Sequence, residues 1–258
     1  MKLGGFGFVK DYPLIKAAGF DYAELDMPQL ESMSAEDFAA FKAKTQELGL
    51  PLPTGARILP IVEPTFFVEG FKPESLKDYL ERTCSRSAEL GIKKVILGNG
   101  KARALPTPES IKYEGVFIDF LRMLADIAAD NGQELILEPL GPKYSNYINT
   151  VPQAVELIKK AGRDNIFTMA DLRHMVWSKE DLSDIGTYVD YIHHVHVDYP
   201  LSFPERRWPV PGCDYDYAPF IAALKASGYD GTLTVEADVP EDWNTAGAQV
   251  REVLKELF

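Results

Sequence analysis

The chain has 258 residues, with 39 acidic and 27 basic side chains and a formal net charge of −12. Phosphate recognition needs a local surplus of Lys and Arg, so this balance excludes an electrostatic grip on nucleic acid or an anionic membrane. With 46% hydrophobic residues the chain can bury one sizeable core, and its length suits a barrel domain of about 250 residues.

The N-terminal stretch Met1-Lys2-Leu3-Gly4-Gly5-Phe6-Gly7-Phe8 lacks the unbroken apolar run of a secretory leader, and no window reaches membrane-span length. Cys84 and Cys213 cannot build a disulfide framework and read as free thiols in a reducing compartment. A soluble, cytoplasmic protein is expected, with no nucleic-acid or membrane partner.

Short apolar or alternating runs recur along the chain, each followed by a longer segment with helical spacing. In chain order the reading is strand 2–8, helix 12–18, strand 21–27, helix 34–48, strand 52–59, helix 75–90, strand 93–98 and helix 107–131. The second half continues as strand 133–139, helix 151–161, strand 166–171, helix 179–187, strand 191–198, helix 215–227, strand 231–237 and helix 245–257. Several boundaries have local causes. Ser34 precedes an acidic first turn, Glu36 and Asp37, and Gly49 stops that helix. Pro108 opens the fourth helix, Asn131-Gly132 closes it, and Gly162 and Gly228 end later ones.

Eight alternations over 258 residues give about 32 residues per unit, the size of one strand-helix repeat. The expected fold is a single α/β domain over residues 1–258, a closed (β/α)8 TIM barrel. An open doubly wound sheet would announce itself by a Gly-rich phosphate turn after the first strand. Gly4-Gly5-Phe6-Gly7 lies within the strand and opens no helix at the required spacing.

Catalytic groups of such a barrel sit at the C-terminal ends of its strands. The last four strands end in Glu138, Asp171, His196 and Glu236, which lie 33, 25 and 40 residues apart along the chain. Three carboxylates brought to one point repel one another unless a cation sits among them. One imidazole with three carboxylates suits Mn2+, with Mg2+, Co2+ or Zn2+ as competitors. By strand alternation His194 shares the face of His196, about 6.6 Å deeper, as a hydrogen-bonded core residue or a support for the site, while His193 packs under the helices. His174, in the loop leaving the sixth strand, either reaches a ligand on the metal or faces solvent. The Pro-interrupted loop after His196 carries Arg206-Arg207-Trp208, whose arginines either hold an anionic or polyhydroxyl oxygen or stay solvated.

Leu137-Glu138-Pro139-Leu140 with Asn146 and Asn149-Thr150, Asp171-Leu172-Arg173-His174, His194-Val195-His196, Arg207-Trp208-Pro209 and Val235-Glu236 resemble the xylose-isomerase-like barrel superfamily. Within it the similarity is to the ketose 3-epimerases for tagatose and psicose, and Gly98-Asn99-Gly100-Lys101-Ala102-Arg103 resembles the turn after that family's fourth strand. The resemblance implies one divalent ion held by Glu138, Asp171, His196 and Glu236. It also implies that Glu138 and Glu236 are the acid/base pair, that His174 and Arg207 contact substrate hydroxyls, and that the protein forms homodimers or homotetramers. In one place it departs from the pattern: Tyr144 stands where those epimerases carry a substrate-contacting glutamate.

The function expected is a metal-dependent isomerase or epimerase of a ketose or related keto-sugar, working by proton abstraction and return through an enediolate. The alternatives are a dehydratase or lyase on a keto-inositol or keto-glycoside, a hydroxypyruvate isomerase, and an inactive sugar-binding barrel. The DNA-repair endonucleases of the superfamily need further histidines on earlier strands, and all four here lie from position 174 onward.

Overall fold

Eight parallel strands pair each with the next and the last with the first, closing a barrel in the order β1 to β8. The strands are β1 (Lys2–Gly7), β2 (Tyr22–Asp26), β3 (Thr54–Ala56), β4 (Lys94–Leu97), β5 (Glu134–Leu137), β6 (Ile166–Asp171), β7 (Ile192–Val197) and β8 (Thr232–Val235). The computed structural model describes every residue from Met1 to Phe258. The helices are α1 (Tyr12–Ala17), α2 (Met27–Ser32), α3 (Ala35–Leu48), α4 (Lys77–Glu89), α5 (Glu114–Asp130), α6 (Val151–Ala161), α7 (Leu172–Ser178), α8 (Asp184–Thr187), α9 (Ala218–Ser227) and α10 (Trp243–Val253). The expected (β/α)8 barrel is the observed fold, and no helix is long and apolar enough to cross a membrane.

Helix ends follow their side chains. The Ser34 hydroxyl accepts from Asp37 N–H at 3.0 Å, and Gly49 closes α3 with φ 66°. Residues 179–187 were expected to be helical, but the helix there shrinks to α8, and α7 forms earlier, immediately after β6. Asp171 caps α7 by accepting from His174 N–H at 3.1 Å, Leu172 and Met175 bury its inner face, and Lys179 ends it at φ 54°. His174 therefore stands on the first turn of a helix, not in a loop. Segment 107–131 divides into a 3-10 turn, Pro108–Tyr113, and α5. The additional α2 starts directly after β2, where Asp26 caps it at Gln29 N–H (3.3 Å) and Pro28 fits its first turn.

Strand alternation divides the buried side chains into two sets. Leu25, Val95, Leu97, Leu135, Leu137, Val195, Val197, Leu233 and Val235 point outward into the main core, packed under the helices. The inward set is unusual for a barrel, whose interior is ordinarily filled by branched aliphatic residues. Here only Ile96, Ile136 and Met169 form an inner apolar cluster. Around them Tyr22, Glu24, Thr54, His194, His196 and Thr234 are buried polar groups, and these must satisfy one another.

Candidate active site

The four strand-end residues come together at the mouth. Glu138 follows β5; its N–H donates to Leu97 O at 3.2 Å, and its own carbonyl accepts from the Arg103 guanidinium. Arg103 is wholly buried and also donates to Leu97 O (3.3 Å), so one cation ties together the ends of β4 and β5. Glu236 follows β8, its N–H bonded to Val197 O at 3.2 Å. Asp171 spends Oδ1 on the cap of α7 and leaves Oδ2 free. His196 turns Nε2 to Glu24 Oε1 (2.9 Å) and leaves Nδ1 free.

His196 Nδ1 lies 3.1 Å from Glu236 Oε2, 3.6 Å from Asp171 Oδ2 and 3.7 Å from Glu138 Oε1. All four donor atoms fall within 4.8 Å of one another. Glu138 Oε1, Asp171 Oδ2 and His196 Nδ1 are buried and without a hydrogen-bond partner, and the buried Glu236 Oε2 meets the Arg206 guanidinium at 2.5 Å. Orphaned polar atoms are rare in folded proteins, and three aimed at one point, beside a fourth that already faces a guanidinium, are what a cation requires. Donors held about 2.1 Å from one ion lie roughly 3–4 Å from each other, so these spacings fit a shared divalent metal. The cluster is thus a possible metal-binding site.

The electrostatics carry the same tension. Burial pushes the Glu138 carboxyl up to about 7, and Glu236 and Asp171 add to the rise. Against their own burial, Asp171 is held well below the usual carboxylate range by His174, His196 and Arg206, and Glu236 is lowered by Arg206 and His196. Burial opposes charge on His196, yet Glu24 and Glu236 raise it well above an ordinary imidazole. His174 behaves oppositely: burial lowers it to about 4, leaving a neutral ring at pH 7.

Above the cluster opens a cavity of about 280 Å³, walled by Glu138, Glu236, His174, Tyr144, Arg206 and Asn99 among others. His174 Nε2 is 3.7 Å from Glu138 Oε1 and 3.8 Å from Asp171 Oδ2, so its ring borders the donors. Tyr144 meets the His174 ring edge-on at 5.0 Å and stacks on Trp177 at 5.4 Å. Arg207, expected to contact substrate, is exposed and lines no part of this cavity, its backbone bonded to Tyr199 and Ser202. Its neighbour Arg206 enters instead, 2.5 Å from Glu236 Oε2, 3.5 Å from Asp171 Oδ2 and 3.1 Å from Asp198 Oδ2. Asp198 also holds the wholly buried Arg173 at 2.5 Å, and Arg173 in turn bonds the Tyr199 and Ser202 carbonyls, fastening the loop that delivers Arg206.

His194 is buried, its Nδ1 2.7 Å from Thr232 Oγ1. His193, expected under the helices, is half-buried against Phe167 and Glu134 instead, side chains with the inward parity of Met169 and Ile136, because the register of β7 against β6 skips this residue. Glu24 and Asp198, to which the sequence alone assigns no role, shape the site together with Arg206, one of the two loop arginines it offers. Alternation offered a signal for two of them. Asp198 shares the inward parity of His194 and His196, and Glu24 is a charge in the middle of the inward face of β2.

A closed parallel barrel with four metal-competent donors at its C-terminal mouth defines the class. The chain belongs to the xylose isomerase-like TIM barrel family, whose model matches residues 13–257. It is 29% identical to an inosose isomerase of Bacillus subtilis over 64% of this chain, a match spanning 61% of that relative's length. It is 28% identical to a 3-dehydro-D-guloside 4-epimerase of Escherichia coli, over 90% of this chain and 87% of the relative. A D-allulose 3-epimerase from Methylomonas sp., solved with D-allulose, shares the fold with a TM-score of 0.83 at 20% identity, covering 100% of this chain and 97% of that one.

Proposed function

We propose that this chain is a divalent-metal-dependent isomerase or epimerase of a ketose or related keto-sugar. The observation that carries the reading is the set of four buried donors, three of them without any hydrogen-bond partner, converging beneath a sugar-sized cavity. Relatives named for isomerase and epimerase activity support it. Glu138, Asp171, His196 and Glu236 would hold the ion; three oxygens and one imidazole favour Mn2+, with Co2+, Mg2+ or Zn2+ as competitors. The ion supplies Lewis acidity at the substrate carbonyl, lowering the cost of the negative charge that develops on its oxygen.

The protein's own groups move the proton. Glu138 and Glu236 come from strands three places apart in the ring of eight and so flank a flat intermediate from different sides. One removes the proton beside the carbonyl; the other returns it, to the opposite face in an epimerisation or to the adjacent carbon in an isomerisation. Neutral His174 and cationic Arg206 bind substrate oxygens, and Tyr144 presents a phenol beside His174.

The test is solvent exchange. Manganese-loaded protein incubated with D-fructose, D-psicose and D-tagatose should wash deuterium from D2O into the carbon next to the carbonyl and, in ordinary water, give products isomeric with the substrate. Glu138→Gln and Glu236→Gln should lose this exchange while staying folded. Full exchange in either variant removes the acid/base assignment, and loss of water from the substrate replaces isomerisation by elimination.

A further inference from the structure

We propose that Glu24 is a positioning residue for the metal: it determines which nitrogen of His196 faces the donor cluster. The inference rests on the metal reading above and reaches beyond the four donors themselves. Glu24 lies mid-way along β2, faces into the barrel and is completely buried. Its Oε1 is 2.9 Å from His196 Nε2. Its Oε2 accepts from the Thr54 hydroxyl at 2.7 Å and the Thr234 hydroxyl at 3.0 Å, with His194 Nε2 2.8 Å away. Because Thr234 gives its proton to Glu24, the Tyr22 hydroxyl, 2.7 Å from Thr234 Oγ1, donates in turn to Thr234.

Two hydroxyls donate to this carboxylate, and an ionised carboxylate is an acceptor only. An acceptor at His196 Nε2 keeps a proton on that nitrogen, so the proton the ring gives up to hold a metal leaves Nδ1, the atom facing Glu138, Asp171 and Glu236. The buried anion behind the ring also makes Nδ1 a stronger donor to a metal. Glu24, His194 and His196 approach closely enough to hold an ion of their own. Two threonine hydroxyls already occupy Oε2, however, and His196 stands at hydrogen-bond distance from Oε1, so the trio is a hydrogen-bonded clamp. The clamp continues downward: His194 Nδ1 meets Thr232 Oγ1 at 2.7 Å, and Lys94 Nζ reaches the same hydroxyl at 3.3 Å. The polar filling of the barrel is the support of one metal ligand.

The experiment compares Glu24→Gln with the unaltered protein, both stripped by chelator and titrated with Zn2+ against a chromophoric competitor. In parallel, the zinc-loaded, 15N-histidine-labelled proteins are examined by NMR. The variant should bind Zn2+ about 10- to 100-fold more weakly, the usual effect of losing a ligand's orienting partner. Its His196 Nε2–H resonance in the zinc-loaded protein should move upfield; the buried amide also lowers the melting temperature of the metal-free protein, so the role is read from zinc affinity and this resonance, which a merely structural residue would not move. Equal zinc affinity in the two proteins with an unmoved resonance overturns the role of Glu24 alone. Failure of the unaltered protein to take up zinc removes the metal reading and this inference with it. Should the variant not fold, the spectrum of the unaltered protein decides: His196 protonated at Nε2 and bound to zinc through Nδ1 supports the assignment, and zinc on Nε2 overturns it.

Discussion

Gly98 offers the sharpest separation of function from fold. It is the inward-facing residue just beyond β4, beside Glu138, and an added Cβ would stand 1.8 Å from Glu138 Oε2 and 3.0 Å from its carboxyl carbon. The backbone there is not left-handed, so Gly98→Ala introduces no φ strain, and its Cβ would keep an ordinary 3.8 Å from Glu138 Cβ. What must yield is the flexible end of Glu138. To restore even a 3.0 Å contact, Oε2 has to retreat by about 1.2 Å, against a tolerance of about 0.2 Å for metal-ligand distances. A displacement of about 1 Å at a reacting group costs on the order of 100-fold in rate, or about 2.7 kcal/mol of transition-state stabilisation. Deuterium wash-in by the manganese-loaded variant should therefore fall about 100-fold, with metal affinity reduced and the melting curve nearly unchanged. Exchange within threefold of the unaltered protein, at equal metal affinity, would refute the placement of Glu138 in the site.

Other expectations follow from the charges. Glu138 has its value raised from 4.5 to about 7 in the fold. Its ionisation therefore costs nothing below about pH 4.5 and progressively destabilises the metal-free protein as the pH rises to 7, by about 3 kcal/mol in full. Chelator-treated Glu138→Gln should accordingly melt above the unaltered protein at pH 8, by roughly 6–12 °C, with the gap closing below about pH 4.5; excess Mn2+ should reverse the ranking at pH 8. A gap independent of pH in calorimetry contradicts this. Arg206→Ala removes the guanidinium shared by Glu236, Asp171 and Asp198, and kcat/KM should fall about 100-fold, whereas exposed Arg207 replaced by Ala should leave it within about twofold. Steady-state kinetics on the pair checks which arginine serves the cavity.

Much of the architecture is legible in the chain because its signals are local. Most strands are short apolar or alternating runs, and Ser34, Gly49, Gly162 and Gly228 mark helix ends by chemistry that needs no distant partner. The four donors are visible for a similar reason, since each ends an apolar run at barrel spacing. Other features depend on residues far away. Arg206 and Arg207 are adjacent in a loop without periodicity, and only the positions of Asp171, Asp198 and Glu236 decide which one enters. Helix α7 is hidden because Asp171 is both a candidate ligand and the cap that starts it, one oxygen for each task. Glu24 can be seen as an inward charge, but its partner His196 lies 172 residues further on.

The central claim, that Glu138, Asp171, His196 and Glu236 hold a single ion, is tested most directly by anomalous scattering from crystals grown with Mn2+. The account predicts one strong manganese peak at the barrel mouth, about 2.0–2.3 Å from an oxygen of each carboxylate and from His196 Nδ1. A map with no manganese among these four side chains, or with the ion held by other residues, contradicts it.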